Sequence, residues 1–356
     1  MKRILFITNG HGEDLVAAEI IKKIKKNSDF QIHVLPFVGE GNVFNNLGVV
    51  ILGQRKKLPS GGFSLRNLWF LLKDISAGLL GQTRQAITLL KEQRDKTDLV
   101  IAIGDIVPII GALLTKTPFF FIGVNKSDHY QQFGFRYTPW EKWLLEKYAL
   151  KVYVRDSATK CPKGEYVGNP LMDCISSPPN PLSIKDGEGD IRFAQSGVRI
   201  GFLPGTRDDA KLNIADFEKI AHELKVNIHN PHFIIATKEE TPSIFQAVPF
   251  DQLLRESTIV VGLSGTGNEQ AAGLGNPVVS FYGRGSQYNK KFARAQKELL
   301  GEALLLVKTK EEAAKEIVRL VKDKPRLEVM AEIGRERMGK AGATEIISQE
   351  IIQRFK

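Results

Sequence analysis

Short runs of β-branched, aliphatic and aromatic residues alternate along almost the whole chain with longer amphipathic stretches, and this rhythm restricts the fold more than any other feature. In the first half the runs are "RILFIT", "QIHVLPFV", "VVIL", "LVIAIG", "FFFIGV" and "KVYV", with helical spacing from about Glu13 and through a long region before "LVIAIG". Strands that are apolar at nearly every position are covered on both faces, and βαβ alternation joins such strands in parallel. Between Val167 and Ile191 the pattern lapses into "GNPLMDCISSPPNPLSIKDGEGD", whose Pro, Gly, Ser and Asp content marks a linker and an exposed loop. It then restarts with "VRIGFLPG", "HFIIAT", "TIVVGLSG", "PVVSFYG" and "ALLLV", and from about Glu311 the chain reads as helix. The expected class is α/β, with two Rossmann-like, doubly wound domains facing across a cleft. Residues 1–168 would form the first and 169–330 the second, with a C-terminal helical segment, 331–356, packing back across the junction.

The chain's 356 residues suit two domains, each large enough to bury a core. With 42% hydrophobic and 25% charged residues, the composition is that of a globular protein, which excludes wholesale disorder. A formal charge of +10 favours anionic partners: nucleic acid, anionic lipid or phosphorylated small molecules. Aromatic residues interleaved with basic ones in the manner of RNA-binding modules are not evident, so no nucleic-acid partner is expected. Cys161 and Cys174 are too few for a zinc site or a disulfide framework. The start "MKRILFITNG" has only a strand's length of apolar residues, and no run approaches the ~18 residues of a membrane span. The expected location is therefore cytoplasmic, in solution or on a membrane face.

In parallel α/β sheets ligands bind beyond the carboxyl ends of the strands, so chemistry is sought in the loops just after them. In the second half "FLPGTRDD" offers Gly205 for close backbone approach, the Thr206 hydroxyl, and in Arg207 a fork that matches phosphate oxygens. The competing account is a turn with Arg207 paired to Asp208 or Asp209. The stretch "VVGLSGTGNEQAAGLGNPVV" places Ser264, Gly265 and Thr266 at a helix start, where exposed N–H groups and the helix dipole suit a diphosphate. Glu269 and Gln270, one turn in, are candidates for ribose hydroxyls; an ordinary capped helix is the alternative. Gly283 at the exit of "FYGRGSQYNKK" is a further candidate for phosphate or sugar contact.

The first half differs. Its Gly10-His11-Gly12 turn has two glycines of a phosphate loop, but Leu15 stands where the third would be. Glu13 and Asp14 would repel a pyrophosphate there, so this loop suits a base better than a phosphate. Asp105 leaves another strand in "LVIAIGDIVP", and His11 can titrate near neutrality, which makes Asp14, His11 and Asp105 the candidate catalytic groups. For each of the two aspartates, helix capping or turn formation is the competing account. A separate feature is "RKKLPSGGFSLRNLWFLLKDISAGLLGQ", where Phe70 and Leu71 fall off the apolar helical stripe that includes Trp69, behind the basic cluster Arg55, Lys56 and Lys57. Trp69, Phe70 and Leu71 are the expected contacts with an anionic membrane face, against burial on a neighbouring helix or a partner subunit.

Taken in order and spacing, "GHGEDLVAAE", "YVGNPLMD", "LPGTR" and "SGTGNEQAAGLGNPVV" resemble the lipid-A-disaccharide synthase family of glycosyltransferases, in its synthase-related branch. The resemblance covers most of the chain and implies a GT-B fold similar to that of the murein N-acetylglucosaminyltransferase, with a UDP-sugar on the C-terminal domain and the acceptor on the N-terminal one. It implies an inverting hexosyltransferase that needs no metal and no cofactor beyond the UDP-sugar donor, acting on a lipid or lipid-linked acceptor at the inner membrane face, with a homodimer left open. Gly205, Thr206 and Arg207 match the family's Leu-Pro-Gly-Ser-Arg loop; Ser264, Gly265 and Thr266 match its Ser-Gly-Thr loop. Asp14 matches its terminal acid in Gly-Glu-Ala-Ser-Gly-Asp. The chain departs at Asn169 for the family's hinge His, at Asn9-Gly10-His11-Gly12 for Gly-Glu-Ala-Ser, and at Gln270 for the ribose-binding Glu. These departures leave the fold expected and the substrate open. A UDP-sugar epimerase on the same fold, or a non-catalytic nucleotide-sugar or nucleic-acid binder, are the alternatives.

Overall fold

A computed structural model describes residues 1–38, 41–53, 79–132, 134–175, 197–206, 209–285 and 288–355, with the backbone alone for 79–83. The chain divides into two units: Met1–Asp128 with Gln132–Cys174 and Ala341–Lys356, and His129–Gln131 with Ile175–Lys340. The main boundary thus falls after Cys174, a little beyond the linker start at 169 expected from composition. The C-terminal stretch read as one segment is split, its last part joining the first unit.

In the first unit the elements run β1 (Arg3–Thr8), α1 (His11–Asn27), β2 (Gln31–Pro36), β3 (Val50–Ile51), α2 (Leu79–Glu92), β4 (Leu99–Gly104), α3 (Ile106–Thr115), β5 (Phe119–Gly123), α4 (Pro139–Tyr148), β6 (Ala149–Tyr153) and β7 (Gly164–Glu165). They form one sheet in the order β3-β2-β1-β4-β5-β6-β7 with every pair parallel. Along β1, Leu5 and Ile7 face a core shared with Val100, Phe119, Phe121, Ile109 and Leu145, while Ile4 and Phe6 are equally buried on the opposite face. This double coverage is why the central strands read as unbroken apolar runs.

The second unit follows with β8 (Arg199–Leu203), α5 (Ala210–Asn227), β9 (His232–Ile235), β10 (Gln246–Ala247), α6 (Phe250–Glu256), β11 (Ile259–Gly262), α7 (Thr266–Gly273), β12 (Val278–Phe281), α8 (Lys290–Leu300), β13 (Leu304–Val307), α9 (Lys310–Val321) and α10 (Lys324–Met338). Its sheet is also all parallel, in the order β10-β9-β8-β11-β12-β13. Phe202, Phe217, Phe233 and Phe245 pack edge to face or tilted at its centre, with centroids 5.0–6.1 Å apart. In both sheets the strand order reverses next to the first strand, between β1 and β4 and between β8 and β11. A reversal opens a crevice at the carboxyl ends, because the helices after the two flanking strands cover opposite faces.

The last helix, α11 (Ala343–Gln353), returns to the first unit and packs on α1. Asp173, from the "GNPLMD" stretch, receives the N–H groups of Gly342 and Thr344 and so caps it from outside. Asn169 is 1% exposed, and its carboxamide oxygen accepts the Leu171 N–H at 3.1 Å. Here these two residues of the hinge motif hold backbone together.

Candidate active site

The first unit brings its polar residues together around the β1/β4 reversal. Asp105 caps α3, taking the Val107 N–H at 3.0 Å, and the Asn9 carboxamide donates to its two oxygens at 3.1 and 3.2 Å across the reversal. Burial raises the Asp105 pKa; the Val107 N–H, the Asn9 amide and the nearby Lys126 oppose that rise, and Glu141 adds to it. A half-buried carboxyl displaced in this direction is a stronger base than a surface aspartate.

Glu13 lies beside it, only 6% exposed, accepting a hydrogen bond from the Asn125 amide at the exit of β5. Two glycines leave room for its side chain. A Cβ on Gly10 would stand 2.6 Å from its Oε2, and one on Gly104, whose φ is +127°, would stand 3.0 Å from its Cγ. Loops after β1, β4 and β5 therefore close on one carboxylate, which occupies the end of α1 where an anion would otherwise sit.

Asp14 has a different partner. It is 2% exposed, its Oδ1 accepts the Thr8 hydroxyl at 2.5 Å, and its pKa is pushed up to about 7. Burial is the main cause, the Thr8 hydrogen bond opposes it and the charge of Glu13 adds to it. His11 is exposed on the first turn of α1, with Gly12 half-buried behind it.

The sequence reading did not single out Asn9, Asn125, Lys126 or Glu141. Lys126 and Glu141 form a buried pair at 2.6 and 2.7 Å, and Glu141 also accepts the Thr138 N–H and hydroxyl in the capping box that starts α4. The signal for Asn125 and Lys126 is present in "FFFIGVNKS", a strand exit of the same kind as "LVIAIGDIVP".

In the second unit the loops after β8, β11 and β12 leave neighbouring strands. Gly205, with φ +85°, turns the chain out of β8, and the Asn213 amide holds the Pro204 carbonyl at 2.9 Å. Thr206 is exposed, whereas Arg207 lies outside the described residues. Beyond β11, the Ser264 hydroxyl accepts the Gly267 N–H at 3.2 Å. The Gln296 amide, from α8, donates to the carbonyls of Ser264 and Gly265 at 3.2 and 2.8 Å. Gln296 in turn accepts from Tyr288 at 2.6 Å and from Asn268 at 2.8 Å, and Ser280 donates to Tyr288 at 2.8 Å. A buried polar network thus fixes the loop's carbonyls from behind and sets the half-buried Ser264, Gly265 and Thr266 at the N-terminus of α7.

Glu269 is half-buried in the first turn of α7, and Gln270 is 4% exposed, so the carboxylate rather than the amide is the more accessible of the two. Gly283 donates its N–H to the Tyr288 carbonyl at 3.1 Å. Beside it, a Cβ on Gly285 would stand 2.2 Å from the Asp209 carboxyl carbon, so the loops after β8 and β12 touch there. Gln296 was missed because it sits on a helix and not at a strand exit; its signal was an amide on the apolar stripe of Ala293, Leu299 and Leu300. Trp69, Phe70 and Leu71 lie outside the described residues, as do Arg55, Lys56 and Lys57. Among the described residues no cluster of His, Cys, Asp and Glu has the form of a metal site, and no helix is long and apolar enough to cross a membrane.

No protein-family model and no curated protein matches the sequence. Solved structures match over nearly the whole chain. A structure of MnaA from S. aureus with UDP is 14% identical, covering 100% of this chain and 97% of that one, with a TM-score of 0.62. A putative UDP-N-acetylglucosamine 2-epimerase from Listeria monocytogenes is 15% identical over 100% of this chain and 97% of that one, at 0.64. The calicheamicin glycosyltransferase CalG4 is 15% identical over 99% of this chain and 98% of that one, at 0.62. Two parallel α/β units covering such chains from end to end define the fold as GT-B.

Proposed function

We propose that the chain is an inverting, metal-independent glycosyltransferase that moves a sugar of the N-acetylglucosamine type from a UDP-sugar to a lipid-linked or membrane-borne acceptor. The observation that carries this reading is the contrast between the two units. The β8 and β11 exits of the second present small residues and a helix N-terminus held open by Gln296, whereas in the first the equivalent helix end is filled by Glu13. A diphosphate is favoured at the former and repelled at the latter.

On this reading Gly205, Thr206, Arg207, Ser264, Gly265 and Thr266 hold the diphosphate, and Glu269 takes ribose hydroxyls. Asp105 accepts the proton of the acceptor hydroxyl as that oxygen bonds to the anomeric carbon. The bond from carbon to the β-phosphate oxygen breaks, and its electron pair leaves on UDP, whose charge is met by Arg207 and the end of α7. Asn9 orients Asp105, and the Glu13 carboxylate beside it disfavours a phosphate at the same strand exits.

A second reading, a UDP-sugar epimerase, has support in the UDP-N-acetylglucosamine 2-epimerases among the matching structures. UDP release with candidate donors and lipid acceptors tests both. The transferase releases UDP only with acceptor, in the presence of EDTA, and loses at least ~100-fold in rate in Arg207→Ala and Asp105→Asn. Interconversion of a UDP-sugar without acceptor establishes the epimerase instead, and a strict metal requirement rejects the mechanism.

A further inference from the structure

Helix α4 carries a surface that neither unit's core accounts for. Its inner side is fixed: Leu144 and Leu145 enter the core, Glu141 is held by Lys126 and by the Thr138 cap, and Pro139 starts the first turn. The outer side presents Trp140 and Trp143, 51% and 52% exposed, with Tyr148 at 43% in the last turn and Leu150 at 38% in β6 just beyond it. Two of the chain's three tryptophans thus lie one turn apart in water. Isolated exposed apolar residues need no explanation, but four large ones within eleven positions, three on one helix and the fourth on the strand that follows it, form a patch.

Its charges give the patch a character. Lys147 places its Nζ 5.0 Å from the Trp143 ring centre and 5.1 Å from that of Tyr148, and the two rings meet edge to face at 6.1 Å. Lys163 lies at the helix end, its Nζ donating to the Ala149 carbonyl at 2.7 Å, and Lys142 is half-buried on the flank. Glu146 is the one exposed acid on α4.

Indole and phenol rings bordered by lysines are the composition that settles at the headgroup level of a bilayer, where the rings enter the acyl boundary and the ammonium groups meet anionic lipid. A second copy of the chain is the poorer occupant. A two-fold contact over the same patch would set Lys142, Lys147 and Lys163 against their own equivalents.

We propose that the outer face of α4, through Trp140, Trp143, Tyr148 and the lysines around them, docks the protein shallowly on an anionic bilayer. This deepens the reading of a membrane-borne acceptor and rests on it for its purpose. Its test uses neither donor nor acceptor, so the two can fail separately.

The full chain is sedimented with vesicles of phosphatidylcholine containing one quarter phosphatidylglycerol, and with vesicles of phosphatidylcholine alone. Binding is expected to the first, with about tenfold weaker partition in Trp140→Ser/Trp143→Ser and in Lys142→Glu/Lys147→Glu, both checked by circular dichroism for an unchanged fold. In a Trp69→Phe background the remaining fluorescence comes from Trp140 and Trp143, and it shifts to shorter wavelength on adding anionic vesicles. Absence of vesicle binding, unchanged partition of both double variants, or a solution dimer that disappears in Trp140→Ser/Trp143→Ser without any effect on vesicles, would each overturn the proposal.

Discussion

Replacing Asp14 by Asn should make the first unit more stable above neutral pH while changing little at low pH. The carboxyl is 2% exposed and has one hydrogen-bond donor, the Thr8 hydroxyl, and its pKa stands at about 7 against 3.8 in the unfolded chain. The folded state therefore holds this proton more tightly than the unfolded state. Below pH ~4 both forms are protonated and Asp14 contributes nothing to pH dependence; as pH rises, the unfolded state ionises first and gains in stability relative to the fold. The penalty grows up to about pH 7 and is constant above it. At about 1.4 kcal/mol for each tenfold change in the proton equilibrium, it reaches roughly 4 kcal/mol, an upper bound that relaxation of the site reduces to about 2–4 kcal/mol. Asn removes the ionisation and keeps an oxygen for Thr8, at the expense of an amide donor to be satisfied. Because two units need not unfold together, hydrogen exchange of β1 and α1 amides, corrected for intrinsic rates, is the appropriate measure at pH 5 and pH 8. The difference between Asp14→Asn and wild type should grow by roughly 2 kcal/mol over that interval in favour of the variant. Parallel pH profiles for the two proteins would refute the argument that Asp14 is buried with a raised pKa.

Two further outcomes follow from buried polar groups. Lys126→Met leaves the Glu141 carboxylate buried without its cation and should cost about 3–5 kcal/mol in exchange of the β5 and α4 amides; adding Glu141→Gln should restore most of it. Gln296→Leu releases the carbonyls of Ser264 and Gly265 and should cost about 1–3 kcal/mol locally, with UDP binding by calorimetry weakened about tenfold, whereas unchanged binding would show that the loop does not depend on that amide.

The fold was readable because both sheets are buried on two faces. "LVIAIG" and "FFFIG" read as covered parallel strands, and the runs of β1, β4, β8 and β11 are each followed directly by a helix. The short edge strands β7 and β10 were not anticipated, since two residues at an exposed edge carry no periodicity. Strand exits were legible for the same topological reason, and the structure places the candidates Asp105, Gly205 and Ser264 at the ends of β4, β8 and β11. Which partners each of the two adjacent buried acids takes was not legible. Glu13 and Asp14 are neighbours on one helical turn, and their directions are decided by Gly104 from β4 and Thr8 from β1, both contacts made only in three dimensions. Gln296 and Asn268 belong to the same category, a polar network closed by residues far apart in the chain.

The split of the first unit between the beginning and the end of the chain bears on how the protein is made. The inner face of α1, with Ile20, Ile21 and Ile24, lies in a unit completed only by α11, which also supplies Glu345 to Lys23 and Glu350 to Tyr153. A ribosome releases these partners only after the whole second unit has emerged. The nascent first unit must therefore wait with one helix uncovered and the Asp173 carboxylate without the N–H groups it will cap, exposed to chaperones or to its neighbours on the polysome until residues 341–356 emerge.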